Sequence, residues 1–146
     1  MDGSLGGTIA TMVMSLAMLA LRRAGQMSEL PPERITAQLL DAADAPGGQR
    51  TRDVVAALLH FLFGIAGGAL FGVLQRALRP RTALPVEIQG LVFAGLVWLV
   101  SYMGWIPLLG LMPPATRDEP RRPGAMVLAH GLYGAVLGVI VERRSR

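Results

Sequence analysis

Two side chains in this sequence have chemistry beyond packing, His60 and His130, and they are its only histidines. Each sits in the same pattern: Leu58-x-His60-x-Leu62-Phe63-Gly64-x-x-x-Gly68 and Leu128-x-His130-x-Leu132-Tyr133-Gly134-x-x-x-Gly138. On a helix, residues four apart share a face. His60, Gly64, Gly68 and Gly72 therefore form one stripe, and His130, Gly134 and Gly138 another. The first reading of such a histidine is packing. Its ring bonds a carbonyl or hydroxyl on a neighbouring helix, with Thr11, Ser15, Ser101 and Tyr102 as candidate partners, for about 0.6 kcal/mol on average. The alternative treats an ionisable residue inside an apolar helix as a functional site. Two imidazoles on facing helices can ligate a b-type haem axially, with glycines making room for the flat ring. The same pair can serve a quinone or a proton path.

Other chemistry is sparse. There is no cysteine, which removes disulfides, thiolate metal sites and cysteine nucleophiles. Two histidines fall short of the ligand count zinc needs, so no metal site is expected. No phosphate loop or nucleophile elbow is present, and the sequence points away from an enzyme. The acid pairs Asp118-Glu119 and Asp41/Asp44 read as solvated loop charges.

The elements that must position the histidines are apolar. The 146 residues are 52% hydrophobic and 16% charged, against roughly 25% charged in a soluble domain. Four runs are long enough to cross a bilayer: 5–21, 54–74, one from about 86 to at least 103, and 124–141. The first lacks a basic stretch before it, so a retained helix is expected rather than a signal peptide. Its Gly7, Thr11 and Ser15 make a small-residue stripe suited to close helix contact in lipid. Pro31-Pro32 followed by Ile35, Leu39 and Ala43 suggests a short amphipathic helix in the first loop. Trp98, Tyr102 and Trp105 share a face, with Tyr102 and Trp105 placed for an interfacial belt. Pro107 should end or kink its helix. All fourteen basic residues are arginines flanking the runs. That placement suits membrane anchors and shows no nucleic-acid stripe. Six fall on the side of the termini and eight on the other, which does not set an orientation.

The pattern recurs beyond the histidines. Gly25-Gln26-Met27 precedes Pro31-Pro32, and Gly110-Leu111-Met112 precedes Pro113-Pro114. Each half, about 5–76 and 86–144, then reads as a helix, a Gly-x-Met…Pro-Pro loop and a His-x3-Gly-x3-Gly helix. Two-span halves repeat in parallel about an axis along the membrane normal. His60 and His130 come to similar depth, and the second and fourth spans are expected at the centre.

With these features in place, the chain resembles the YagU-like small bacterial inner-membrane proteins. The resemblance rests on Arg23-Ala24-Gly25-Gln26-Met27, Pro31-Pro32-Glu33-Arg34-Ile35, Trp98-Leu99-Val100-Ser101-Tyr102-Met103-Gly104-Trp105, Gly110-Leu111-Met112-Pro113-Pro114 and His130-Gly131-Leu132-Tyr133-Gly134. It implies four spans and a bacterial inner membrane, and transfers no catalytic residue. The expected fold is an all-α membrane domain of 146 residues with four transmembrane helices in two hairpins. The expected role is a structural or accessory subunit, or a homo-oligomer, that packs in the lipid bilayer through its glycine stripes. A haem- or quinone-binding subunit and a small transporter or channel are the alternatives.

Overall fold

The structure is a computed structural model and describes residues 2–78 and 82–145. Arg79, Arg81 and Arg146, counted above among the flanking arginines, lie outside the described residues. Among the described residues all regular structure is helical. Four helices are long and apolar enough to cross a membrane. They contain α1 (Asp2–Arg23), α3 (Gln49–Leu78), α4 (Val86–Val100) and α6 (Arg122–Ser145). A fifth, α2 (Pro31–Ala42), lies in the first loop. Pro31-Pro32 occupies its first turn, where a missing N–H costs nothing. The Glu33 carboxylate accepts the Leu30 amide at 3.3 Å and pairs with Arg22 at 2.9 Å, tying α2 to the end of α1.

The outer surface agrees with a bilayer. Leu16, Leu58, Leu62, Leu70 and Val73 are all more than half exposed. A monomer in water rarely shows an apolar surface of that extent. The chain is a multi-pass helical membrane protein.

Both Gly-x-Met loops begin in the same way. Gly25 and Gly110 have φ of 70° and 71°, a left-handed conformation that glycine adopts without a Cβ penalty. The amide of Gln26 bonds the Leu21 carbonyl at 3.0 Å, and that of Leu111 bonds Ile106 at 3.1 Å. This is the Schellman closure of a helix C-terminus. Met27 and Met112 then turn inward and are buried.

Between Val100 and its loop, α4 does not run straight. Ser101–Trp105 is a π-turn with a break at Gly104 (φ −111°, ψ −107°), followed by the single turn α5 (Ile106–Leu108). Pro107 has no N–H for the carbonyl four residues back, and its ring crowds that turn. The kink expected at Pro107 is therefore relieved a few residues earlier, as a widened turn. It draws Tyr102 inward. Tyr102 is 4% exposed and buried, not part of an interfacial belt, whereas Trp105 is 38% exposed.

Two glycine seams join neighbours in sequence. Gly3, Gly7 and Thr11 of α1 cross Gly64, Gly68 and Gly72 of α3. Val86, Glu87, Gly90 and Ala94 of α4 cross Gly134 and Gly138 of α6. A Cβ added at Gly7 would come within 2.5 Å of the Gly64 carbonyl oxygen. One added at Gly134 would meet the Gly90 carbonyl oxygen at the same distance. So backbone packs on backbone in both. The stripes are thus used inside one chain. Ser15, a turn beyond the first crossing, is half-buried, and its Oγ is buried without a hydrogen-bond partner.

The histidine helices α3 and α6 are not the central pair expected from the sequence. The α3 stripe is spent on α1 and the α6 stripe on α4, and α1 and α6 instead pack along their length. Gly6 receives the side chains of Leu137, Val141 and Ile140. The counterpart of that contact would be α4 against α3, and those two helices touch at few points. Counted from Gly7 and Gly90, Gly6 matches Gln89 and Ala10 matches Phe93. Counted from Gly64 and Gly134, Gly67 matches Leu137 and Phe71 matches Val141. The Phe71 and Phe93 rings meet at 5.4 Å and prop the two helices apart. Gly67, where α6 has Leu137, leaves the gap unfilled.

Candidate functional site

The gap between α3 and α4 is a chamber of about 500 Å³. Its walls come from α3 (His60, Phe63, Gly67), α4 (Phe93, Val97, Trp98), the π-turn and α6 (Met126, His130, Tyr133). Thr11, Met14 and Met18 of α1 form its back, and Pro31, Ile35 and Thr36 of α2 cover its loop end. The rim is exposed: Leu59, Leu62 and Phe63 line the chamber and also face outward. No arginine, aspartate or glutamate is among the lining residues described.

His60 and His130 both line this space, although their helices do not form a seam. None of Thr11, Ser15, Ser101 and Tyr102 bonds either ring. Thr11 Oγ1 donates to the Gly7 carbonyl at 2.6 Å, and Ser101 Oγ to the Val97 carbonyl at 2.7 Å. A hydroxyl on a helix is satisfied by its own preceding turn before it can reach a neighbour. His130 does the same, with Nδ1 at 2.8 Å from the Met126 carbonyl. A carbonyl only accepts, so Nδ1 carries the proton of the neutral ring and Nε2 keeps its lone pair. His60 has no such bond; its Nε2 is buried and unpartnered. The indole Nε1 of Trp98, on the facing wall, is buried and unpartnered too. Leaving a buried polar group unsatisfied costs about 1–3 kcal/mol. His60 and Trp98 both belong to the chamber wall, so a polar partner gained there would lift that part of the cost.

Tyr133 stands where α3 has Phe63, and the two rings diverge. Tyr133 reaches across and donates to the Gly64 carbonyl at 2.6 Å, the one direct hydrogen bond described between α6 and α3. Phe63 turns instead toward Trp105, ring centres 6.3 Å apart. The phenol was not singled out in the sequence. Its pairing with Phe63 in the repeated pattern was the available signal, since a single hydroxyl is what separates the two.

Beyond the chamber, at the end where both loops lie, is a polar clasp that the sequence reading missed. Arg122 is fully buried. Its guanidinium pairs with Asp118 at 2.6 Å and Glu119 at 2.8 Å, and reaches Ser28 Oγ and the Glu29 carbonyl at 3.3 Å. Tyr102 donates to Asp118, and Ser28 donates to Glu119 from its hydroxyl and its amide. Asp118 is 2% exposed and so is not the solvated loop charge expected, while Glu119 stays more than a third exposed. A buried arginine needs its carboxylates with it. The Ser28 donors hold the Glu119 carboxyl below its usual range. The spacing of Asp118, Glu119 and Arg122 over one helical turn was the signal for it. At the opposite end Asp2 pairs with Arg76 at 3.3 Å and Arg144 at 3.9 Å. Among the described residues no group of three or more potential metal-ligating side chains gathers.

The whole chain, residues 1–146, matches the model of a family of unknown function, DUF6789. The chain belongs to that family. No curated protein and no solved structure matches it. Membership in DUF6789 therefore brings no activity with it, and the chamber is the feature that any function must be read from.

Proposed function

We propose that this protein is a non-enzymatic membrane subunit that holds a lipid-soluble small molecule in the chamber between α3 and α4. The glycine seams and the polar clasp are its scaffold. One observation carries the reading: α1 packs along α6, whereas α3 stands off α4 around a space that both histidines line. In a bilayer the exposed rim faces acyl chains, so an apolar molecule enters sideways without crossing water. The protein is a bacterial inner-membrane protein, with two hairpins repeated in parallel and α2 lying at the interface. The matched seams and the paired Gly25 and Gly110 turns support the repeat. Kinship with the YagU-like proteins belongs to the same proposal. Any association between copies, or with other membrane subunits, uses lipid-facing faces, because the glycine stripes are engaged within the chain.

The purified full chain in detergent should bind an apolar fluorescent probe saturably. Val97→Trp fills the chamber and should weaken binding about tenfold, the scale of one lost side-chain contact set. Leu70→Trp, on the exposed face of α3, should change nothing. Binding that ignores Val97→Trp would sink the proposal.

A b-type haem is the second reading, favoured by the free lone pair on His130 Nε2. Against it, haem propionates would meet no cation on the described walls. A Soret band lost in both His60→Ala and His130→Ala would establish haem.

A further inference from the structure

Resting on that reading, we infer that the ligand has a neutral, flat, oxygen-bearing head on an aliphatic tail, the chemistry of a membrane quinone or quinol. Three features select it. No charged side chain lines the chamber, so a carboxylate or phosphate head would be buried without compensation. That removes fatty acids and phospholipid headgroups. The polar atoms present ask for both kinds of partner. The Trp98 indole N–H can only donate, and it is unpartnered. His130 Nε2 accepts, because Nδ1 is committed to Met126. A carbonyl oxygen suits the first and a hydroxyl the second. His60 Nε2, also unpartnered, serves either through its tautomer. Finally, Phe63, Phe93, Trp98 and Trp105 supply aromatic faces around the same space, which favour a flat ring over a branched head. The tail leaves over the exposed rim toward the bilayer. The inference concerns binding and involves no redox step.

The test compares three molecules with the same ten-carbon tail on the full chain in detergent. They are decyl-benzoquinone, decylbenzene and decanoate, each displacing the apolar probe. The quinone should displace it at about tenfold lower concentration than decylbenzene, the worth of one or two hydrogen bonds. Decanoate should be weakest. The quinone should also quench the intrinsic fluorescence, since Trp98 and Trp105 are the only tryptophans and both line the chamber. Trp98→Phe should erase the preference for the quinone over decylbenzene, and His130→Ala should erase the same preference for the reduced, quinol form of that head, whose hydroxyl donates to Nε2. Both should leave decylbenzene binding intact. The two substitutions lie on different helices, so either alone decides if the other fails to fold. Equal displacement by quinone and decylbenzene would overturn the ligand class and leave the chamber reading standing. A preference for decanoate would overturn it as well. Displacement by none of the three would bring down both.

Discussion

In the proposed repeat the α1–α6 and α3–α4 contacts hold equivalent places, and they come out opposite. In the first, Gly6 is a notch and Leu137, fully buried, is the knob that fills it. Ala10, also fully buried, lets the helices stay close. In the second, Gln89 replaces the notch, Gly67 replaces the knob, and Phe93 replaces Ala10. Gln89 cannot serve as a notch; its amide turns back to the Leu84 carbonyl at 2.8 Å. Phe93 meets Phe71 and acts as a spacer. The lesson is one of complementarity. A small residue brings helices together only where the facing helix offers something to insert. Glycine facing bulk closes a seam, while glycine beside a spacer opens a chamber.

The largest break in this comparison should come from the seams that both regions depend on. Gly64→Leu or Gly134→Leu places a branched side chain where a single Cβ already clashes with Thr11 or with the Gly90 backbone. Overpacking of this kind costs about 1–3 kcal/mol or more. We expect either substitution to lower the melting temperature in detergent by many degrees. Leu70→Ala, on an exposed face, should shift it little. Equal tolerance of the two kinds of change would show that the seams do not hold the bundle.

Much of this was legible in sequence, and its limits are physical. The four spans follow from hydropathy alone, because a bilayer imposes length and polarity on each segment separately. The stripe residues Gly7, Thr11, Gly64, Gly68, Gly72, Gly134 and Gly138 follow from a spacing of four. Their partners do not. Gly3, Gly90 and Ala94 complete the two crossings, and nothing in their own segments sets which helix they meet. That is why α3 and α6 were expected at the centre. His60 and His130 line one space, but that space arises from the Phe71–Phe93 contact between α3 and α4 and not from a meeting of α3 with α6. The clasp was missed for a similar reason. Asp118 and Glu119 look like surface charge until Arg122, Tyr102 and Ser28 fold around them.

A sharper test exchanges the two regions. Gly67→Leu with Phe93→Ala gives the α3–α4 contact the knob and the small residue of its closed counterpart. We expect the chamber to shrink and probe binding to fall sharply. Stability should change by only about 1 kcal/mol, because burial gained by leucine offsets burial lost from phenylalanine. Gly67 is the suitable site, since a Cβ there meets only the Tyr133 hydroxyl at 3.3 Å. Unchanged binding in the double variant would show that some other feature holds α3 from α4.

The smallest expected effect lies in the clasp, where the loop ends of the closed and open contacts are tied together. Glu119 is bound by Ser28 and Arg122 in its charged form, so its carboxyl is held below the usual 4.5. A carboxyl lowered by folding adds stability above its unfolded value, and that stability is lost as pH falls through the folded value. Ser28→Ala removes the hydroxyl bond and leaves the amide bond and Arg122 in place. The melting temperature of the variant should therefore sit slightly below that of the parent from neutral pH down to about 4.5, and the two should converge below it. Glu119 is more than a third exposed, so solvent screening keeps the gap small. A gap that widened on acidification would mean that Ser28 favours the protonated carboxyl, contrary to the donors it presents.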